Sequence, residues 1–475
     1  MEQKRYLPLV LILLVSTAAR LRAQPAEPRL TPAPLAVELG RASTPLSVPM
    51  LIKASLVLSG ASESTIAADT IRLGEIIDQA KRAIAGDSSD YAKGNALLLF
   101  MHKVLLTRYS EPQTRLDTLL RTGEFNCVSS AVLYMILGRA VGLNVEGVYT
   151  PDHAFCTVEA KGSWIDVETT NRYGFDPGSK TAFHDAFGNT GFTYVPPGNY
   201  HLRTPTDGRG LLSFILQNRM SLLERRYRFK EAVGLAVDRY AILDNQTALD
   251  DLASEAGNYC AVLNQGKEYS TGIAFLDAVE KAYGRLPKLV TIMSGLIHNA
   301  VLDLANKGNY VQALTLIRER SASGAIDSSE ASALRTIVAE NRLSVAVKEQ
   351  PFEKALGVVE SSYRNGDISE STYHRYLVPV FGKEAQRTAS ANGYLAAVKI
   401  LEQGIKMTGG SSELERGRRI YLNNYIATVH NRFAVLFNQR EYEKATEVVR
   451  EGLKIVPDSS VLNQDLQMIR RARGN

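Results

Sequence analysis

Apolar positions follow three patterns along the chain. From residue 65 to 141 they recur mostly at three- and four-residue intervals, the spacing that puts one side of a helix against a core. Ile71, Leu73, Ile76, Ile77, Ala80 and Ile84 predict one helix. Leu97, Leu98, Phe100, Met101, Val104 and Leu105 predict a second over 91–109. Val128, Ala131, Val132, Met135, Ile136 and Ala140 predict a third that starts at Cys127 and stops at Gly142, a usual residue just past a helix end. Between 144 and 170 the pattern changes to alternation. A short strand over 144–149 is followed by a hairpin whose two strands begin at His153 and run on from Trp164, joined by Lys161 and Gly162, where glycine supplies a positive φ. With Ala160 opposite Ser163, His153, Asp166 and Glu168 share one face. Ala154, Cys156, Val158, Ile165 and Val167 share the other, which reads as the core side.

Residues 173–206 are rich in Gly, Pro, Asn and aromatics and have no clear period, with one strand expected near 192–195 and His184 and His201 read as polar surface. From Leu211 onward the pattern is nearly continuous helix. An aromatic followed three residues later by Ala or Gly recurs as Phe229 with Ala232, Tyr269 with Gly272, Tyr310 with Ala313, Phe352 with Ala355, Tyr394 with Ala397 and Tyr442 with Ala445. The spacings of 40, 41, 42, 42 and 48 residues predict a repeated helix, turn and helix, in which the small residue lets helices approach and the aromatic fills the gap between units.

Upstream, residues 1–23 combine Lys4 and Arg5, an apolar core over 7–19 and a small-residue site before Gln24, which predicts a secretory signal peptide. Residues 24–64 open with a Pro- and Ala-rich stretch and are expected to form a flexible leader. No membrane span is expected after the signal. The formal charge of +5 falls to about +2 without the signal, which gives no argument for nucleic acid. Cys127, Cys156 and Cys260 are too few and too uneven in number for a disulfide scaffold, and Cys156 and Cys260 read as small core residues. A Cys127 to Cys156 disulfide would silence any chemistry at Cys127. The chain has no phosphate-binding glycine loop, paired zinc-ligand spacing or serine-nucleophile signature, so neither cofactor nor metal is expected.

The candidate chemistry lies in residues 123–171. A helix N-terminus or a neighbouring imidazolium favours a thiolate, and Cys127 stands at a helix start. His153 at the start of a strand supplies a base, and Glu168 or Asp166 an orienting acid. Cys127, the His-Ala-aromatic strand at His153 and the Trp-Ile-x-Val-acid-x-Thr strand from Trp164 together resemble the bacterial transglutaminase-like, papain-type cysteine superfamily. The resemblance covers roughly residues 67–200. It implies a Cys-His-acid triad for acyl transfer at amides, with Cys127 as nucleophile, His153 as base and Glu168 as acid, Asp166 being the alternative. Phe125 and Asn126 stand where the family usually has a glycine, and Glu168 where it usually has an aspartate.

The expected fold class is therefore an α+β transglutaminase-like domain over 65–206 followed by an all-α helical-repeat solenoid over 207–475. The repeats resemble tetratricopeptide repeats. The expected function is an exported, periplasmic or secreted, enzyme that hydrolyses or transamidates amide bonds of a peptide or protein, with the repeats binding a protein partner. The alternative is a catalytically inactive binding module within a repeat scaffold.

Overall fold

A computed structural model describes residues 27–177 and 203–474. The expected signal peptide, the strand near 192–195, His184 and His201 lie outside the described residues.

The expected α+β class does not hold. Of the described residues 72% are helical and 6% are strand, the latter confined to a two-stranded and a four-stranded sheet. The chain divides into two compact units at 292/293 rather than at 206/207, and the unit that holds the sheets is itself mainly helical.

Two causes account for the difference. The first is the expected leader. Residues 34–58 form α1 (Pro34–Arg41) and α2 (Val48–Leu58), each with a proline in its first turn, where the missing N–H costs nothing. Leu35, Leu39, Leu51, Ala54 and Leu56 are buried in the same core as the helices that follow. Arg29 makes a bidentate pair with Asp238 at 2.9 and 2.6 Å, and the Ala33 N–H donates to the same carboxylate. The composition of a Pro- and Ala-rich stretch reads as a linker, but its leucines are spaced for burial.

The second cause lies beyond the hairpin. Helices α3 (Glu63–Ala83), α4 (Asp90–Val104), α5 (Leu116–Thr122) and α6 (Cys127–Ala140) precede the sheet. After it, α7 (Gly208–Glu224) and α8 (Phe229–Leu243) place Leu211, Leu212, Ile215, Leu216 and Ile242 in the same core as Val132, Cys156 and Leu51. The first helices expected to open a separate array instead complete this unit.

The sheet order is β5-β4-β3-β6, with β3 (Val145–Tyr149), β4 (Ala154–Ala160), β5 (Ser163–Val167) and β6 (Thr204–Thr206) antiparallel throughout. Ala160 faces Ser163 and Cys156 faces Val167, the register that alternation predicts, and the turn has Lys161 at φ 52° and Gly162 at φ 72°. The helix expected over 91–109 ends at Val104. Arg108 and Tyr109 form β1, which pairs in parallel with β2 (Glu124–Phe125) immediately before Cys127.

Helices α9 (Gln246–Gln265) and α10 (Tyr269–Tyr283) continue the first unit, and α11 (Pro287–Asn306) follows. Alone among the described residues, α11 is long and apolar enough to cross a membrane by length and composition. Its Leu289, Met293, Leu296, Ile297, Val301 and Ala305 are buried inside the protein. The second unit holds α12 (Tyr310–Ala322), α13 (Ser328–Glu349), α14 (Phe352–Arg364), α15 (Glu370–Asn392), α16 (Tyr394–Met407), α17 (Ser412–Asn438), α18 (Tyr442–Ile455) and α19 (Ser460–Ala472). Each recurring aromatic is the first residue of a helix, and Ala232, Ala313, Ala355, Ala397 and Ala445 three positions on are buried. That helix, turn and helix plan is compatible with a repeat array.

Candidate active site

Cys127 is the first residue of α6 and is 8% exposed. Asn126 is the N-cap: its Oδ1 accepts from the Ser129 N–H at 2.9 Å, and Ser129 Oγ accepts from the Asn126 N–H at 2.9 Å. This reciprocal box satisfies donors that a helix start leaves open. The Asn126 amide also donates to the Glu111 carbonyl at 3.0 Å, which ties the helix start to the preceding loop. Phe125 is buried and meets the rings of Tyr109 and His102 edge-on at 5.8 and 5.9 Å. Asn126 and Phe125 thus cap and anchor the helix that carries the thiol.

His153 lies just before β4, its side chain 1% exposed, and its carbonyl accepts from the Thr150 N–H at 2.8 Å. Its Nε2 is 2.6 Å from Glu168 Oε2, and the Cys127 side chain is among the groups that act on its ring. With Nε2 committed to Glu168, Nδ1 is the ring nitrogen that remains for a second group. Burial drives the imidazole pKa down. The Glu168 charge, hydrogen bonds to Cys127 and Glu168 and the charge at Cys127 outweigh this and raise it well above its ordinary value.

Glu168 follows β5 and is fully buried. Its Oε1 accepts from the Thr170 N–H at 3.0 Å and the Thr170 hydroxyl at 2.6 Å, which leaves Oε2 to His153. Burial pushes this carboxyl up, but the His153 charge and the bonds from His153 and Thr170 hold it below the ordinary range. The backbone is fixed as well: the Glu168 N–H donates to the Gly174 carbonyl at 2.8 Å, and a Cβ at Gly174 would lie 2.1 Å from the Glu168 carbonyl oxygen. The Thr169 hydroxyl bonds Ser130 of α6 at 2.8 Å, and the Thr169 carbonyl accepts from His102 at 3.1 Å. The loop of Glu168 is therefore locked to the helix of Cys127.

Asp166 is placed elsewhere. It makes a bidentate pair with Arg203 at 2.6 and 2.7 Å, both side chains being 6% exposed. Of the two carboxylates on alternate positions, the geometry brings Glu168 to His153 and gives Asp166 to Arg203. The three cysteines are buried free thiols, so Cys127 and Cys156 are not bridged. Burial raises Cys156 far above an ordinary thiol and Cys260 to about 12.

Sequence reasoning missed Thr170, His102, Tyr109 and Arg239. Thr170 has a local signal, a hydroxyl two residues after the acid. Tyr109 has none, because the β1 and β2 pairing brings it to Cys127 from eighteen positions upstream. Burial and then the charge at Cys127 raise the Tyr109 phenol, so it stays protonated and able to donate. Cys127 opens onto a cleft of about 420 Å³ lined by His153 and residues of α7 and α8, and onto a smaller one of about 140 Å³ that Tyr109 lines. No family model matches this chain, and no curated protein matches it.

Proposed function

We propose that this chain is an exported cysteine enzyme that attacks amide carbonyls of a peptide or protein, with the chemistry of the transglutaminase-like enzymes that the sequence resembles. The observation that carries this reading is the buried His153 to Glu168 bond of 2.6 Å beside a thiol at a capped helix start. A thiolate at Cys127 attacks the carbonyl carbon, and the carbonyl π electrons move to oxygen. The first N–H groups of α6, which have no partner within the helix, and the Tyr109 hydroxyl are the donors we assign to that oxyanion. His153 gives its Nδ1 proton to the amine nitrogen as the C–N bond breaks, leaving a thioester. Water or a second amine then attacks the thioester carbonyl, His153 takes the attacking group's proton, and the thiolate leaves. Glu168 keeps the imidazole in place and balances its charge.

The test is iodoacetamide alkylation of the full chain as a function of pH, followed separately at the three cysteines. Cys127 is expected to react well ahead of Cys156 and Cys260 at about pH 6, below the pKa of a free thiol. His153→Ala should erase that lead. Equally slow labelling at all three positions would sink the proposal and leave the inactive-module reading.

Export rests on residues 1–23, and the N-terminal sequence of the protein recovered outside the cytoplasm tests it. A protein partner is assigned to the later helix pairs on their repeat plan alone. Removing residues 293–474 should leave cleavage of short peptides intact and weaken action on a protein substrate.

A further inference from the structure

We propose that the larger cleft beside Cys127 holds a carboxylate of the substrate, anchored by Arg239. The substrate class is then a peptide with a free carboxylate close to the reacting amide. This deepens the cysteine-enzyme reading of the same site and rests on it.

Arg239 projects from α8, lines the cleft and is 4% exposed. One end of its guanidinium pairs with Asp251, and Nη2 donates to Gln217 Oε1 at 3.2 Å. Its Nε is buried and has no hydrogen-bond partner among the described residues. A buried donor left unmade is costly, and for a cation that stays charged at every accessible pH the cost is larger. An acceptor that reaches Nε from the cleft would remove it.

The neighbouring groups are polarised the same way. Arginine only donates, so Gln217 must turn its carbonyl oxygen to Arg239 and present its NH₂ elsewhere. Asn245 spends its Oδ1 on capping the Ala248 N–H at 3.0 Å, which again leaves an NH₂. Asn245 and Thr247 line the cleft at the start of α9, the positive end of that helix. Arg239, two amides and a helix N-terminus form a donor-rich wall suited to an acceptor-only ligand with negative charge.

The acids nearby do not fill that role. Asp152, which also lines the cleft, is exposed and accepts from the Thr150 hydroxyl at 3.1 Å. Burial, its hydrogen bond to Glu224 and the Glu224 charge push Glu255 up to about 9, and it makes no hydrogen bond to Arg239. Asp251 answers the Arg239 charge from the opposite end and leaves Nε unmet.

The test is calorimetric binding to the full chain carrying Cys127→Ala, which removes turnover. The probes are N-acetylated alanine tetrapeptide amides with one internal Glu or, as the isosteric control, one Gln. A second pair is acetyl-tetra-alanine with a free C-terminal carboxylate or as its amide. One member of each pair can gain a charge-assisted hydrogen bond that its twin cannot, so at least one carboxylate probe should bind about tenfold or more tightly than its uncharged twin. The Glu pair responding identifies an acidic side chain, and the terminal pair responding identifies a chain end. Arg239→Gln should abolish the preference, and Gln217→Leu should reduce it if the first variant does not fold. Equal binding of both members of both pairs overturns the proposal, as does a preference that survives Arg239→Gln. A carboxylate preference in a protein whose Cys127 proves unreactive would retain the subsite while removing the enzyme reading.

Discussion

Glu168 is the residue on which the site's electrostatics turn. Its two oxygens are divided between Thr170 and His153, so the extra methylene relative to aspartate is taken up by a second anchor. Glu168→Gln keeps the shape and removes the charge. Losing one member of a buried ion pair costs about 3 kcal/mol or more, and denaturant unfolding should show a loss of that order. The pH dependence has a definite sign. His153 is raised from 6.5, so its contribution is complete below that value and is lost as pH rises through the folded pKa. Glu168 is lowered from 4.5, so its contribution is complete above that value and is lost as pH falls through the folded one. The stability gap between wild type and Glu168→Gln should therefore be widest between pH 4.5 and 6.5 and narrow on both sides. Gly174→Ala tests the backbone beneath the acid. A methyl 2.1 Å from the Glu168 carbonyl forces that loop to move, and Cys127 alkylation at about pH 6 should slow without any substitution of Cys127, His153 or Glu168.

At the scale of elements, the start of α6 was readable from its apolar spacing, and the hairpin register from alternation and the Lys161-Gly162 turn. Both are local features, carried by residues within a few positions of one another. The cap is less readable, because Asn126 stands outside the apolar period and its partner Ser129 is a polar residue within it. Asn126→Ala should cost about 1 kcal/mol in a thermal or denaturant melt and slow Cys127 alkylation as the helix start frays. Asn126→Gly should cost only a few tenths. The short β1 and β2 pair was not legible, since two-residue strands carry no period and Tyr109 reaches Cys127 only through it.

For the whole molecule, the division into parts was the least legible feature. A Pro- and Ala-rich start suggested a free leader, and a run of helices suggested a separate array from residue 207. Burial decided otherwise: Leu39 of α1, Leu51 of α2 and Leu212 of α7 share one core with the helix of Cys127. A fragment of residues 65–206 should consequently behave as a molten or insoluble species. Residues 27–306 should give a cooperative melt by circular dichroism. A cooperative transition in the shorter fragment would refute this account of the core.

The sequence by itself determined what local spacing controls: where the helix of Cys127 starts, how the hairpin is registered, where the aromatic and small residue recur, and that a thiol, an imidazole and two carboxylates lie within fifty residues. Only the tertiary structure decided which carboxylate serves His153, because Arg203 claims Asp166 from thirty-seven positions away. It alone brought Tyr109, Arg239 and the first two helices to their places, since those contacts join residues distant in the chain and depend on burial and pairing that no local pattern encodes.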